Sequence, residues 1–312
     1  MPAMAGYVNF SPDKDIPSLE EKVVLVTGGT AGLGRASIVA LAKHNPAHIY
    51  FTGRNATAAQ SLISDVATIN PSVSLTFLEM DMTSLASVKA ATKRFVHDRL
   101  DILMCNAGIM ASPPGLSKDG FEMQFAVNHL GNAMVIQQVL PVLLRTAALP
   151  GADVRVVSLT STGWRGHPKG GVLFDEVRTT QDGIGGSWIR YGQSKLANIV
   201  YAAELARRYP SILTVSVHPG VVETGLVTNL DPVRKAFVYA ANFVQGTSIM
   251  KTEQGCYSQL WVAAGGKRDE MLNGAFYMPV GVLSNDKLDK TAKSQELAKR
   301  LWDWTADVLA KY

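Results

Sequence analysis

Cysteine is scarce: the 312-residue chain holds two, Cys105 and Cys256. A disulfide framework is excluded, and a reducing compartment is the natural setting. Cys105 ends the apolar run Ile102-Leu103-Met104 and reads as inert core rather than a nucleophile. No stretch of about 18 apolar residues occurs, so no membrane span is expected. Residues 1–20 carry Pro2, Pro12 and Pro17 with Asp13, Lys14 and Asp15, and lack the basic start and apolar stretch of a secretory leader. A cytoplasmic location is the expectation. Charged residues make up 18% of the chain against 47% apolar, which excludes a mainly disordered protein. The net charge of +4 comes from scattered pairs (Lys93-Arg94, Arg207-Arg208, Lys267-Arg268, Lys299-Arg300), which predict a solvated surface. The clustered basic footprint of a nucleic-acid binder is missing, and neither that partner nor a metal site is expected.

After the arm of residues 1–20, short β-branched runs alternate with helix-length amphipathic stretches, the pattern of a parallel α/β sheet. Strands are expected at Val23–Thr27, His48–Thr52, Val73–Glu79, Leu100–Cys105, Val154–Thr160, Ile212–Val217 and Ala275–Met278. Helices are expected at Ala31–Lys43, Ala56–Ile69, Leu85–Val96, Phe121–Leu144 with a bend at Pro141, and Ser187–Arg208. The strands are almost wholly apolar, as a sheet covered on both faces requires. With no linker in view, residues 21–290 read as one doubly wound parallel sheet with helices on both faces, carrying insertions near 162–186 and 221–255. Residues 291–312 read as an amphipathic helix, with Leu297, Leu301, Trp304 and Val308 in one stripe and Glu296/Arg300 and Asp307/Lys311 as ion pairs on the wet side.

The first strand runs into Thr27-Gly28-Gly29-Thr30-Ala31-Gly32-Leu33-Gly34-Arg35. A glycine turn between an apolar strand and a helix lets backbone approach a pyrophosphate and aims free N–H groups at its charge. Gly28, Thr30, Gly32, Leu33 and Gly34 are therefore candidates for holding a dinucleotide. Asp and Glu are absent from 44 to 64, where an NAD site would place a carboxylate for the ribose hydroxyl. Instead Arg54 stands about twenty positions past Gly34, and its planar donor fork suits a 2′-phosphate. NADP(H) is expected in preference to NAD(H).

Tyr191 and Lys195 lie four apart at the start of a helix, hence on one face. A phenol with a pKa of about 10 trades protons poorly at neutral pH, and a nearby ammonium favours the phenolate. Lys195 is expected to lower the Tyr191 pKa. The fifth strand ends Thr160-Ser161, placing hydroxyls at the carboxyl edge, where open α/β sheets bind ligands. Such a hydroxyl can stabilise charge developing on a carbonyl oxygen.

With these motifs the chain, over about residues 20 to 280, resembles the short-chain dehydrogenase/reductase family. The glycine turn is similar to the family's T-G-x-x-x-G-x-G. Asp81 resembles the aspartate that contacts adenine, and Asn106-Ala107-Gly108 the segment that closes the adenine side. Asn128 matches a helix asparagine, and Pro219-Gly220-Val221-Val222-Glu223-Thr224 the P-G-x-V-x-T segment beside the nicotinamide. The resemblance implies a Rossmann fold, cofactor contacts from Val222 and Thr224, and a proton-transfer set. In that set Tyr191 is the general acid for carbonyl reduction and the base for alcohol oxidation. Lys195 lowers its pKa and bonds the nicotinamide ribose, Ser161 polarises the carbonyl, and Asn128 holds a relay water. It also implies a homodimer formed through the helices that carry Asn128 and Tyr191.

Two departures matter. Thr160-Ser161 stands where paired serines are usual, and strand register favours Ser161. Ser161 and Tyr191 lie about 30 positions apart, against a dozen or so in compact members. The extra segment resembles the longer loop of the retinol-dehydrogenase-like branch, and residues 15–19 and 301–304 resemble its soluble fungal members, which implies secondary metabolism. An apolar, mobile lid from the two insertions, with Leu226, Val227, Leu230, Phe237, Val238, Tyr239 and Phe243, suits a bulky hydrophobic ketone or aldehyde. The same stripe serves equally to pack a lid helix on the core. The sequence also leaves open a cofactor-binding sensor without turnover, and a dehydratase, epimerase or imine reductase on the same scaffold.

Overall fold

Val23–Val26 (β1) is three valines and a leucine, a run without helical period, and all four side chains are buried. Seven further strands follow in the computed structural model, which describes residues 6–182, 186–220, 222, 250 and 252–312. They are β2 (His48–Gly53), β3 (Ser74–Glu79), β4 (Ile102–Cys105), β5 (Arg155–Leu159), β6 (Leu213–Val217), β7 (Phe276–Met278) and β8 (Val282–Leu283). Their order is β3-β2-β1-β4-β5-β6-β7-β8. Every pairing is parallel except β7 with β8. The chain winds outward through β2 and β3, then returns to the other side of β1 with β4. That reversal opens a crevice at the carboxyl ends of β1 and β4.

The connecting helices are α1 (Gly32–Ala42), α2 (Ala56–Ile69), α3 (Leu85–Thr92), α4 (Gly131–Ala147), α5 (Ser187–Arg208) and α6 (Gln295–Leu309). Alternate strand side chains point to opposite faces, so two cores form. Leu25, Leu103 and Val156 pack with α3, α4, α5 and α6. Val24, Met104, Val157 and Val215 pack with α1, α2 and the segment around Trp261. The doubly wound sheet expected from the alternating pattern is therefore present.

Several local expectations are corrected. The strand β3 lies at the sheet edge, with Ser74 and Glu79 exposed, so it is not covered as the inner strands are. The helix from Leu85 stops at Thr92, because Phe95 and His97 turn back onto Tyr50, whose hydroxyl meets His97 Nδ1 at 2.7 Å. The long helix through Asn128 is irregular there rather than at Pro141. A helical turn at Met123–Phe125 passes into a π-helical turn, Ala126–Leu130, and α4 then continues through Pro141. Asn132 Nδ2 takes the carbonyls of Val127 and Asn128, competing with the regular ladder. The strand β8 is two residues beyond a positive-φ turn at Gly281, too short to leave a period in the sequence.

The 162–182 part of the first insertion packs onto the core through several side chains. Trp164, Val172 and Val177 are core residues, and a Cβ at Gly171 would lie within 3 Å of Leu297, Thr291 and Leu196. The apolar lid residues 226–243 fall outside the described residues. In α6, Ser294 caps the first turn by accepting from Leu297 N at 3.1 Å, and Leu297, Leu301 and Val308 are buried as their stripe predicts. Neither expected ion pair forms among the described residues. Lys299 pairs with Asp303 at 2.6 Å, and Arg300 lies over the Phe174 ring at 4.3 Å, drawn there by the insertion. No described helix is long and apolar enough to cross a membrane.

Leu301 has no exposed surface and anchors α6 to α5, so Leu301→Ala is expected to cost about 2–5 kcal/mol in urea unfolding. A loss under about 1 kcal/mol would mean that α6 is not docked.

Candidate active site

The crevice is built around Thr27, the last residue before the glycine turn. Its buried hydroxyl accepts from Asn106 N at 3.0 Å and Ala107 N at 2.9 Å, and donates to Asn132 Oδ1 at 2.8 Å. Asn106 Nδ2 returns to the carbonyls of Thr27 and Gly28. Gly28 and Gly34 are glycine for a visible reason. A Cβ at Gly28 would sit 2.9 Å from Ala107 Cα, and one at Gly34 only 2.4 Å from the Gly28 carbonyl oxygen. Gly28 also has φ +67°. The segment Asn106-Ala107-Gly108 is thus packed against the glycine turn.

Gly32 and Leu33 open α1, whose N-cap, Ala31, offers no side-chain acceptor to the first-turn N–H groups. Leu33 and Val222 both pack against Gly255, which joins Val222 to the turn. Thr224 lies outside the described residues. Thr30 packs against Gly53 at the end of β2, so Arg54, the next residue, stands beside the turn. Arg54 is exposed and has no ion-pair partner among the described residues. Asp81 follows β3, whose Glu79 pairs with Gly53 in register. Its carboxylate accepts from Thr83 N and Oγ1 and meets Lys118 Nζ at 2.8 Å. Burial opposes its charge, but Lys118 and Thr83 prevail and hold its pKa at about 2.

Asn128, Ser161, Tyr191 and Lys195 meet on the α4/α5 side of the crevice. A Cβ on Gly108 would lie 3.1 Å from Asn128 Oδ1 and 3.3 Å from Lys195 Nζ. A Cβ on Gly163 would lie 2.8 Å from the Tyr191 ring and 3.4 Å from Ser161 Oγ. Thr160 Oγ1 donates to the Lys195 carbonyl at 2.7 Å, whereas Ser161 is the polar neighbour of the Tyr191 hydroxyl. The Asn128 side chain accepts from Ile109 N at 2.7 Å and donates to Ile109 O and to Ser194 Oγ. With both ends of its amide engaged, it fixes the π turn and the strand-end loop to α5.

Electrostatics here depart from the sequence expectation. Burial pushes the Tyr191 phenol up to about 12, with Ser161 acting against the rise. Lys195 does not overcome that burial. Its Nζ is held by the Leu159 carbonyl at 3.2 Å, 5.8 Å from the Tyr191 ring centre, and desolvation draws its own pKa down to about 8. Cys105 is inert as expected, buried and raised to about 12 by desolvation.

Several residues of the site were missed in the sequence. Asn132, Ser194 and Asn198 are ordinary helix polars by spacing, yet they hold Thr27, Asn128 and the Leu159 carbonyl. His218 sits at the end of β6, 5% exposed, with Nδ1 unpartnered. Burial first, then Arg165 and Lys195, hold it neutral with a pKa of about 3. Arg190, next to Tyr191, is a buried hub. It donates to the carbonyls of Gln181 and Ser112, and its Nε lies 3.4 Å from Glu122 Oε1. Burial raises the Glu122 pKa, opposed by backbone N–H groups of Phe125 and Gln124 and by Arg190.

A switch-point crevice with an uncapped helix start and a tyrosine–lysine pair beside it defines a nicotinamide-dependent oxidoreductase by class. Residues 22–171 match the family model of short chain dehydrogenases. The short-chain dehydrogenase/reductase drtF of Aspergillus calidoustus is 36% identical over 310 residues, spanning 95% of this chain and 96% of its own. Retinol dehydrogenase 11 of Homo sapiens is 30% identical over 295 residues, 93% of this chain and 86% of its own. Among solved structures, one from Mycobacterium paratuberculosis superposes with TM-score 0.72 at 24% identity, covering 96% of this chain and 97% of that one. The NADPH-bound carbonyl reductase from chicken fatty liver superposes with TM-score 0.63 at 23% identity, covering 87% and 97%. At those identities the structural likeness shows the fold. The chain belongs to the short-chain dehydrogenase/reductase family, whose fold binds a nicotinamide cofactor and whose members act on small molecules.

Arg190→Met leaves the Glu122 carboxylate buried without its cation, so a loss of about 3–5 kcal/mol is expected in chemical unfolding. Adding Glu122→Gln to that variant should recover a measurable part, and no recovery would show that the two groups are not paired.

Proposed function

We propose that this chain is an NADP(H)-dependent oxidoreductase that interconverts a bulky hydrophobic ketone or aldehyde and the corresponding alcohol. The observation that carries the reading is the convergence of Tyr191, Ser161 and Lys195 in one buried corner at the carboxyl edge of the sheet. The residues present fit a dinucleotide. The uncapped first turn of α1 offers N–H groups to a pyrophosphate, and the tight contact of the turn with Ala107 keeps side chains out of its path. Arg54, unpaired and beside Thr30, would take a 2′-phosphate, and Val222 would lie along the nicotinamide side. When bound, the reduced cofactor supplies the hydride.

The protein's own groups handle the other end of the carbonyl. Ser161 orients and polarises the oxygen, and Tyr191 delivers the proton to it. A phenol raised to about 12 stays protonated at neutral pH, as a proton donor must. The Lys195 ammonium favours the phenolate left after transfer, and it would bond the nicotinamide ribose. Asn128, its side chain already engaged, acts by fixing the turn around the corner, where the relay water would be held. The apolar composition of 226–243, and Trp188 with its ring 6.5 Å from that of Tyr191, support a large, hydrophobic substrate; a role in secondary metabolism and a cytoplasmic location belong to the same proposal.

The decisive assay follows NADPH oxidation across a panel of hydrophobic carbonyls. Tyr191→Phe is expected to lower kcat by about 10²–10⁴-fold with the fold intact, and wild-type turnover in that variant would remove Tyr191 as the acid. Arg54→Asp should weaken NADPH by about tenfold or more and favour NADH; an unchanged preference would refute the 2′-phosphate role. Because burial lowers Lys195 to about 8, its ammonium is present below that pH and lost above it. The kcat/KM for reduction should accordingly fall as pH rises through about 8, and a profile level across that range would take the Lys195 charge out of the mechanism.

A further inference from the structure

The turn of α5 that presents Tyr191 is held in place by the residue before it. Arg190 is 1% exposed, and its guanidinium reaches three separate segments. Nη2 donates to the Ser112 carbonyl at 3.2 Å, in the loop after β4, and Nη1 to the Gln181 carbonyl at 3.3 Å, in the insertion. Nε faces Glu122 Oε1 at 3.4 Å. The other oxygen of that carboxylate accepts from Phe125 N at 2.7 Å, in the helical turn that leads to Asn128. Neighbouring positions of α5 repeat the pattern. The Ser187 carbonyl accepts from Gln124 Nε2 at 2.9 Å, and Gln193 accepts from Leu173 N at 2.9 Å while donating to Gln181 Oε1 at 3.3 Å.

Both carbonyls that Arg190 takes lie at strained backbone. Gln181 has φ +52°, and so does Ala111, the residue before Ser112; both are buried. Left-handed backbone is unfavourable for residues other than glycine, and it persists only where the surroundings impose it. The loop after β4 is held at two points, by Asn128 at the N–H and carbonyl of Ile109 and by Arg190 at Ser112, with Ala111 between them. A planar fork suits this task, because its rigid N–H groups serve two carbonyls at once, which a single ammonium on a flexible stem does not.

We propose that Arg190 is a positioning residue for the carbonyl chemistry proposed above, on which this inference rests. Its guanidinium clamps the loop after β4 and the insertion onto the first turn of α5, and the clamp sets where the Tyr191 phenol stands relative to a substrate carbonyl. Displacing a reacting group by about 1 Å can cost about 10²-fold in rate, so the clamp bears on turnover more than on cofactor binding.

The test uses the full chain carrying Arg190→Met together with Glu122→Gln, which removes the guanidinium without leaving a bare carboxylate in the interior. Carbonyl reduction should lose about tenfold in kcat, while the Kd for NADPH, read by its fluorescence, stays within about twofold of wild type. Amide exchange in 109–112 and 179–182 should quicken by about tenfold with no matching change in β1. If Arg190 only stabilised the fold, kcat would return with stability when Glu122→Gln is added. A wild-type kcat in the double variant, or unaltered exchange at either segment, would therefore overturn the positioning role. If the double variant fails to fold, Arg190→Lys keeps a cation beside Glu122 but does not span both carbonyls, and the same two measurements decide. A wild type without carbonyl turnover would count against the proposed function, and the exchange result would then judge the clamp alone.

Discussion

One hydroxyl, on Thr27, joins the three parts from which the crevice is assembled. A hydroxyl has one hydrogen to give and two lone pairs to fill. Here the two N–H groups of Asn106 and Ala107 fill the lone pairs, and the hydrogen goes to Asn132 Oδ1. The end of β1, the loop after β4 and the first turn of α4 are thereby held at fixed separation. Asn132 extends the link through its Nδ2 to the carbonyls of Ala107 and Asn128. The Thr27, Asn128 and Asn132 side chains are buried, where each polar group left unpaired costs about 1–3 kcal/mol, so the arrangement is secured from both sides. The close approach of Gly28 and Gly34 to that loop is a consequence of the same geometry.

The burial that secures this link also sets the charges of the corner beside it. Desolvation disfavours whichever form carries charge, so it raises the phenol of Tyr191 and lowers the ammonium of Lys195 and the imidazole of His218. The corner therefore holds its proton on oxygen and holds the Lys195 charge weakly. Spacing in the sequence places Tyr191 and Lys195 on one helix face, but it does not report how dry that face is. The desolvation of both groups, rather than their mutual attraction, governs the phenol in this structure.

What the sequence made legible follows from where its signals are strong. The sheet is readable because its inner strands are apolar runs alternating with helix-length amphipathic stretches, and the glycine turn because backbone crowding there leaves no room for a side chain. Tyr191, Lys195, Ser161 and Asn128 were legible as a pattern along the chain, and they do come together. Polar residues whose purpose is to satisfy another buried group left no pattern. Asn132, Ser194, Arg190 and Glu122 could each be read as solvent-facing, since only the tertiary contact reveals the partner. The two-residue strand β8 and the π turn at Asn128 carry no period to detect.

The insertion and the C-terminal helix show the same limit on a larger scale. The first insertion carries glycines at 163, 166, 170 and 171, which on composition alone would read as freedom of the backbone. In the fold, Gly163 and Gly171 are small because Tyr191 on one side and Leu196 with Leu297 on the other lie too close for a Cβ. A glycine demanded by crowding and a glycine supplying freedom look identical in a sequence, and only the neighbours distinguish them. Trp164 and Phe174 then carry the insertion into contact with the core and with α6. The described part of the longer segment between Ser161 and Tyr191 and the amphipathic tail after residue 290 act together: Phe174 of the one meets Trp304 and Arg300 of the other, and both pack beside the helix that carries Tyr191 and Lys195.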